Sequence, residues 1–126
     1  MISDFRDLVA WQLCHTLKCE IFEFTAVGPA SRDFKYRDQI RESSASAARN
    51  IAEGFKRYRP AEFARFLEFA LGSLGETKDA LIDGFDRKYL DEKLFTRLLN
   101  LTDAAAHVTR NLLLSKQRQI KRRGEK

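Results

Sequence analysis

The chain has 126 residues, of which 44% are hydrophobic and 33% charged, with six Gly and two Pro. This composition suits one compact helical domain and excludes a loop-rich disulfide scaffold, a many-turned β-sandwich and a disordered tail. No apolar run approaches the roughly 18 residues that a spanning helix needs, and the first residues lack the pattern of a secretion signal. We therefore expect a cytoplasmic protein with no membrane association.

The first two predicted helices are separated by Gly28-Pro29, and the second ends near Gly54. Small residues from Ser43 to Ala48 occupy the centre of the second helix, where they allow a neighbouring helix to approach closely. Apolar and small residues recur at helical spacing in both segments. In the first they are Ala10, Cys14, Leu17, Ile21 and Phe24, and in the second Ile40, Ser44, Ala47, Ile51 and Phe55.

The third predicted helix begins at Pro60, a residue suited to the first helical turn, and the fourth follows Asp91, a good N-cap. Their apolar stripes are Phe63, Leu67, Ala70, Leu74, Leu81 and Phe85, then Leu98, Leu101, Ala105, Val108 and Leu112. Short connections between helices of roughly 20 to 27 residues make sequential helices antiparallel. The sequence thus predicts an all-α, up-down-up-down four-helix bundle over residues 1–114. A basic C-terminal extension over residues 115–126 is expected to continue the fourth helix.

No residue pattern supports catalysis, a metal or a cofactor. Cys14 and Cys19 lie five residues apart on one helix, a spacing that suits neither a disulfide nor a metal site. Neither His15 nor His107 belongs to a Glu-x-x-His pair of the kind that di-iron bundles use. Nucleotide-binding, zinc-protease and serine-hydrolase motifs are missing from the sequence. We expect a protein that is not an enzyme.

Two polar pairs with helical spacing could suggest a carboxylate cluster: Asn50 with Glu53, and Ser73 with Glu76. In an antiparallel hairpin about the loop from Gly54 to Pro60, Glu53 lies opposite the start of the third helix. The two pairs therefore do not form one site. Capping and hydrogen bonding between helices explain them better.

Charge is concentrated at the C-terminus. Residues 1–114 contain 17 Lys and Arg against 17 Asp and Glu, whereas residues 115–126 contain six basic residues and one acidic residue. Because the bundle is antiparallel, the loop after the second helix and the C-terminus lie at the same end. Basic groups gathered in this way are suited to phosphate backbones, and an interleaved aromatic ring can stack on bases. The candidate nucleic-acid contacts are Lys56, Arg57, Tyr58 and Arg59 in the loop, and Lys116, Arg118, Lys121, Arg122 and Arg123 at the C-terminus.

Two functions from different classes remain open. One is a non-catalytic accessory protein that binds RNA or DNA through this basic end. The other is a protein-protein interaction scaffold, in which the basic end aids solubility or docks on an acidic surface. Nucleic acid that co-purifies with the protein and is removed only by a high-salt wash would favour the first.

Three residues of the third helix lie outside its core stripe: Phe69, Leu71 and Ile82. In helical projection Phe69 falls within the polar arc, and the other two extend the apolar surface on the opposite flank. One bundle cannot bury all of them, so we expect a homo-oligomer with an interface at Phe69, Leu71 and Ile82.

Three segments resemble a known family: DLVAWQ (7–12), QIRESSASAARNIAEG (39–54) and EFARFLEFALGSLGE (62–76). They are similar to the four-helix-bundle proteins encoded in intervening sequences of bacterial large-subunit rRNA genes. Members often have an Ile-Pro pair where this chain has Ala47-Ala48, so a proline kink is not expected here. The resemblance implies no catalytic residues. Its fold is similar to that of the accessory proteins of diversity-generating retroelements, which implies a pentamer and an association with nucleic acid.

Overall fold

The computed structural model describes residues 2–124, and across them it contains helices and no strand. A short 3-10 helix precedes five α-helices. Their bounds are Phe5–Asp7 for the 3-10 helix, Val9–Thr25 for α1, Gly28–Arg32 for α2, Phe34–Phe55 for α3, Pro60–Asp86 for α4 and Glu92–Arg123 for α5. Met1, Glu125 and Lys126, which belong to the predicted domain ranges, lie outside the described residues.

The four long helices form an antiparallel bundle, which confirms the predicted fold class. Helices α1 and α4 each pack against both α3 and α5, so they occupy opposite corners. Arg97 of α5 pairs with Glu20 of α1 at 2.7 Å, and Lys78 of α4 pairs with Asp103 of α5 at 2.9 Å. At one end of the bundle the rings of Phe85 and Phe95 stack with their centroids 4.3 Å apart.

The helix lengths differ from the expected 20 to 27 residues. Helix α1 has 17 residues and α5 has 32, because α5 continues without a break through the basic segment to Arg123. Leu113 is buried and Ile120 packs against the core, so this segment still belongs to the packed helix. Gly124 ends α5 with a left-handed φ of 70°.

The first connection contains the short helix α2, which the sequence interpretation treated only as a break. Gly28 adopts a φ of 68° at its start, and Pro29 fits its first turn. Asp33 then caps α3 by accepting a hydrogen bond from the Tyr36 amide at 3.2 Å. The predicted N-terminal residues of the later helices are confirmed, since α4 begins at Pro60 and Asp91 accepts from the Leu94 amide at 2.8 Å.

The core consists largely of the predicted stripes. The α1 stripe is buried along its whole length, and Ser43 and Ser46 of α3 face α4. Phe85 departs from the prediction because it lies at the end of the bundle, where it is exposed and stacks on Phe95. Two polar residues of α5 that do not belong to the predicted stripe, Thr102 and Thr109, are also buried.

Hydroxyl groups join α3 to α4. Ser43 pairs with Thr77 at 2.8 Å, and Ser46 pairs with Ser73 at 2.9 Å. This register lies about five residues further along α4 than a symmetrical hairpin would give. The reason is that Gly54, near the end of α3, packs directly against Phe63 and Phe66, where a Cβ would lie only 2.8 Å from the Phe66 Cβ.

Within residues 2–124, no helix combines the length and apolar character needed to cross a membrane.

Candidate functional site

The α3–α4 loop and the end of α5 lie at the same end of the molecule, as the predicted topology requires. Lys116 places its ammonium group 5.0 Å from the centroid of the Phe63 ring, which belongs to the first turn of α4. Seven further residues of α5 follow, and at 1.5 Å per residue they extend the helix by about 10 Å at the end of the molecule that also carries the loop from Lys56 to Arg59. We call the loop 56–59 together with residues 116–123 the basic end.

The loop is anchored at both sides. The Arg57 amide donates to the Gly54 carbonyl at 3.0 Å, and the Arg59 carbonyl accepts from the Phe63 amide at 3.1 Å. Arg57 is held further, because its guanidinium pairs with Glu53 at 3.0 Å and lies 4.8 Å from the Phe66 ring centroid. Tyr58, between these anchored residues, is 98% exposed.

Glu53 partly neutralises the loop. Besides Arg57 it attracts Lys56, whose ammonium lies 3.9 Å away. These pairs involve exposed side chains and are worth about 0 to 1 kcal/mol, so a phosphate can compete for both cations. The sequence-based prediction counted the loop as basic without noticing that Glu53 lies within reach.

The end of α5 carries basic side chains in close succession. Partial burial, followed by the nearby charge of Arg123, lowers the pKa of the Lys116 ammonium. Arg118, Lys121 and Arg122 are exposed and form no ion pair with any residue between 2 and 124. Cations in the last turn also interact favourably with the negative end of the helix dipole, and so they stabilise the end of α5. The end of α5 is therefore a positively charged surface whose exposed basic side chains can bind anions.

A second charged surface lies between α3 and α4 and was not predicted. It is a groove of about 600 Å³ in which carboxylates outnumber other polar groups. The spacing of these residues along each helix, three or four apart, is the signal that could have revealed it. Its acidic residues are Asp38, Glu42, Glu76, Asp79 and Asp83.

The polar pairs weighed in the sequence do not form a single cluster. Asn50 donates to the Ser46 carbonyl at 2.9 Å, and Ser73 bonds to Ser46 across the helices. Glu53 pairs with the loop, while Glu76 lines the acidic groove. Of these contacts, the bond between Ser46 and Ser73 is the hydrogen bonding between helices that the sequence interpretation favoured, whereas Asn50 bonds within α3.

The histidines and cysteines are placed as follows. His15 stacks on Trp11 with centroids 4.6 Å apart, and its Nε2 lies 3.7 Å from the Cys19 sulfur. Cys14 is buried, and this burial raises the pKa of its thiol to about 12. His107 contacts Asn111 on the same helix. In the described part of the chain no three His, Cys, Asp or Glu side chains are grouped so as to hold a metal ion.

The three residues expected at an oligomer interface differ in exposure. Phe69 is 47% exposed and Ile82 is 41% exposed, whereas Leu71 is half-buried and packs against the core of its own bundle. Phe69 is also partly covered, because Phe66 meets it edge-on and the Arg65 guanidinium lies 5.7 Å from its ring centroid.

The fold and the two charged surfaces define a small helical-bundle protein. The chain matches the family described as 23S rRNA-intervening sequence protein over residues 6–111, and it belongs to that family. This match confirms the resemblance seen in the sequence.

One solved structure with a similar fold is a protein of unknown function from the S23 ribosomal protein family of Bacteroides thetaiotaomicron VPI-5482. The two chains are 19% identical, and the alignment covers 83% of this chain and 98% of that chain with a TM-score of 0.76. This likeness shows the fold alone. A comparison with curated proteins found no match.

Proposed function

We propose that this protein is a non-catalytic, oligomeric accessory protein of the cytoplasm that binds the backbone of RNA or DNA through its basic end. The observation that carries the proposal is the meeting of two basic segments, distant in sequence, at one end of the bundle. The Lys116 ammonium, 5.0 Å from the centroid of the Phe63 ring in the first turn of α4, supports this arrangement. The family name refers to an intervening sequence in 23S rRNA and specifies no ligand, so the argument rests on the charges of this chain.

The binding we propose is driven by counterion release. Each Lys or Arg that neutralises a phosphate displaces condensed cations from the nucleic acid, so affinity falls steeply as salt rises. The exposed side chains of Arg118, Lys121 and Arg122 are the best placed for this role, since no carboxylate of the described residues pairs with them. Contacts of this type do not distinguish base sequence.

The acidic groove restricts where the nucleic acid can lie. Its carboxylates repel phosphates along the outer side of α3 and α4. A bound strand is therefore expected on the side of α5 and over the loop, away from the groove.

The experiment compares two double variants with the same change in net charge. Lys121→Gln with Arg122→Gln removes two cations from the basic end, whereas Lys35→Gln with Lys93→Gln removes two exposed cations near the opposite end. Affinity for a labelled oligonucleotide is measured by fluorescence anisotropy at several salt concentrations. We expect only the first variant to bind more weakly. The slope of the logarithm of its binding constant against the logarithm of the salt concentration should be shallower by roughly 0.7 to 0.9 for each phosphate contact that is lost.

Equal effects of the two variants would show that binding follows net charge and not the basic end. If wild-type protein binds neither RNA nor DNA at low salt, the proposal is wrong. Point variants are preferable to deleting residues 116–126, because Ile120 and Lys116 pack against the bundle and their loss would also affect folding.

A protein-protein interaction scaffold is the alternative. The exposed apolar side chains of Phe69 and Ile82 favour it, since they offer contact area that nucleic acid does not need. A protein that purifies without nucleic acid at low salt, and that captures a polypeptide partner lost on substitution of Phe69, would support this function instead.

A further inference from the structure

Tyr58 differs from the other aromatic residues of the chain. It is 98% exposed, and among the described residues it makes no stacking, edge or cation contact with another side chain. Other exposed rings are engaged within the molecule. Phe34, which is 64% exposed, has the Arg37 guanidinium 4.7 Å from its centroid, and Phe22 has that of Arg41 at the same distance.

The position of Tyr58 is set by its neighbours. The hydrogen bonds from Arg57 to Gly54 and from Phe63 to Arg59 fix the backbone on both sides of it. Its ring is thus presented to solvent from a short, anchored loop. Because the loop is already ordered, less conformational entropy is lost when a ligand stacks on the ring.

The ring also lies among cations. Lys56, Arg57 and Arg59 flank it in the loop, and the basic last turns of α5 lie at the same end of the bundle. Aromatic rings within a positively charged surface are typical of proteins that bind single strands, because the bases stack on the rings while cations follow the backbone. In a duplex the bases are already stacked on one another and their faces are not available.

We propose that the nucleic acid bound at the basic end is single-stranded and that one of its bases stacks on Tyr58. This inference rests on the proposed function, and it adds the class of nucleic acid and the residue that selects it. The phosphates on either side of the stacked base then lie within reach of the loop and of α5. Stacking on a ring tolerates every base, so the selection is for strandedness and not for sequence.

The test measures the affinity of wild-type protein, Tyr58→Ala and Tyr58→Phe for a 20-nucleotide oligo(dT) and for a 20-base-pair duplex by fluorescence anisotropy. We expect Tyr58→Ala to weaken binding to oligo(dT) by about 5- to 100-fold and to leave duplex binding unchanged. Tyr58→Phe keeps the ring and should bind like the wild type. The matched control is Phe34→Ala, which removes another exposed ring and should not affect either affinity.

A Tyr58→Trp variant gives a direct signal of stacking. Its fluorescence should be quenched when oligo(dT) is added, and the wild-type protein, whose single tryptophan is Trp11, gives the background change to subtract. Circular dichroism of each variant checks that the fold is retained, which is expected for such an exposed position.

The outcomes separate the two proposals. If Tyr58→Ala binds oligo(dT) and duplex as tightly as the wild type, while the Lys121 and Arg122 variant binds both more weakly, the single-strand inference is overturned and the proposed function stands. The same inference is overturned if Tyr58→Ala instead changes the oligomeric state seen in light scattering and leaves affinity unchanged. Absence of binding by the wild type overturns both.

Discussion

At the residue scale, Gly84 of α4 has the least space for a side chain among the glycines of the described residues. A Cβ at this position would collide with the hydroxyl of Tyr36, which is buried and donates a hydrogen bond to the Ala80 carbonyl at 2.7 Å. Gly84→Ala should therefore lower the free energy of unfolding by about 1 to 3 kcal/mol, as expected for overpacking. Chemical denaturation followed by circular dichroism measures this change.

Gly72 and Gly75 provide controls on the same helix. Neither has another atom within 4 Å of an added Cβ. Gly75→Ala should stabilise the protein by about 0.5 to 1 kcal/mol, because alanine has the higher helix propensity. If Gly84→Ala is no less stable than Gly75→Ala, the packing described for Tyr36 is incorrect.

At the level of single residues, the sequence predicted the features that depend only on neighbouring positions in the chain. The core stripe of α1 could be predicted because helical spacing alone decides which residues face inward. The contact between Tyr36 and Gly84 could not, since it joins residues far apart in sequence and depends on the register of α3 against α4. The same applies to the pairing of Glu53 with the basic loop, which changes how much positive charge Arg57 offers.

At the element scale, one carboxylate links the start of α3 to the connection between α4 and α5. Asp33 accepts hydrogen bonds from the Tyr89 hydroxyl at 2.6 Å and from Arg87 at 3.2 Å. The bond from Tyr89, followed by that from the Tyr36 amide, holds the pKa of Asp33 below its usual value of 3.8. The ionised form is therefore favoured by folding. Its contribution to stability is present above the usual pKa and is lost as the pH falls through the lowered one.

Asp33→Asn tests this link because asparagine still caps a helix but carries no charge. The variant should have a lower melting temperature than the wild type at pH 7, and the difference should shrink as the pH falls below the usual aspartate pKa of 3.8. Thermal unfolding by circular dichroism measures both effects. Asp38→Asn, which removes an exposed carboxylate that pairs with the adjacent Arg37, should behave like the wild type by comparison. Identical pH profiles for Asp33→Asn and wild type would contradict the assigned role.

Element boundaries were predictable where a residue imposes its own geometry, as at Pro60 and Asp91. The short helix α2 escaped prediction because five residues are too few to show a helical period. The acidic groove was missed for a different reason. Its carboxylates come from two helices, and only the observed register brings them to one surface.

At the scale of the whole molecule, the basic end could be predicted from topology alone, because antiparallel helices with short connections return the chain to the same end. The homo-oligomer that we propose would form through the outer surface of α4. In helical projection Phe69 lies on the flank toward α3, and Ile82 lies on the flank toward α5. A closed ring uses two different surfaces of each subunit, so apolar residues on two flanks suit a cyclic homo-oligomer. The pentamer implied by the resemblance in the sequence stays a prediction.

Phe69→Glu is the variant that tests this assembly. Burying the exposed half of the ring is worth about 1 kcal/mol per interface, and a charge placed there adds a larger desolvation cost. We expect the variant to shift toward monomer in multi-angle light scattering while its helical circular dichroism stays close to that of the wild type. Phe34→Glu is the control, because it places the same charge at an exposed ring near the opposite end of the bundle and should leave the assembly intact. Wild-type protein that is monomeric at micromolar concentration would refute the assembly. If both variants dissociate equally, the interface does not include Phe69.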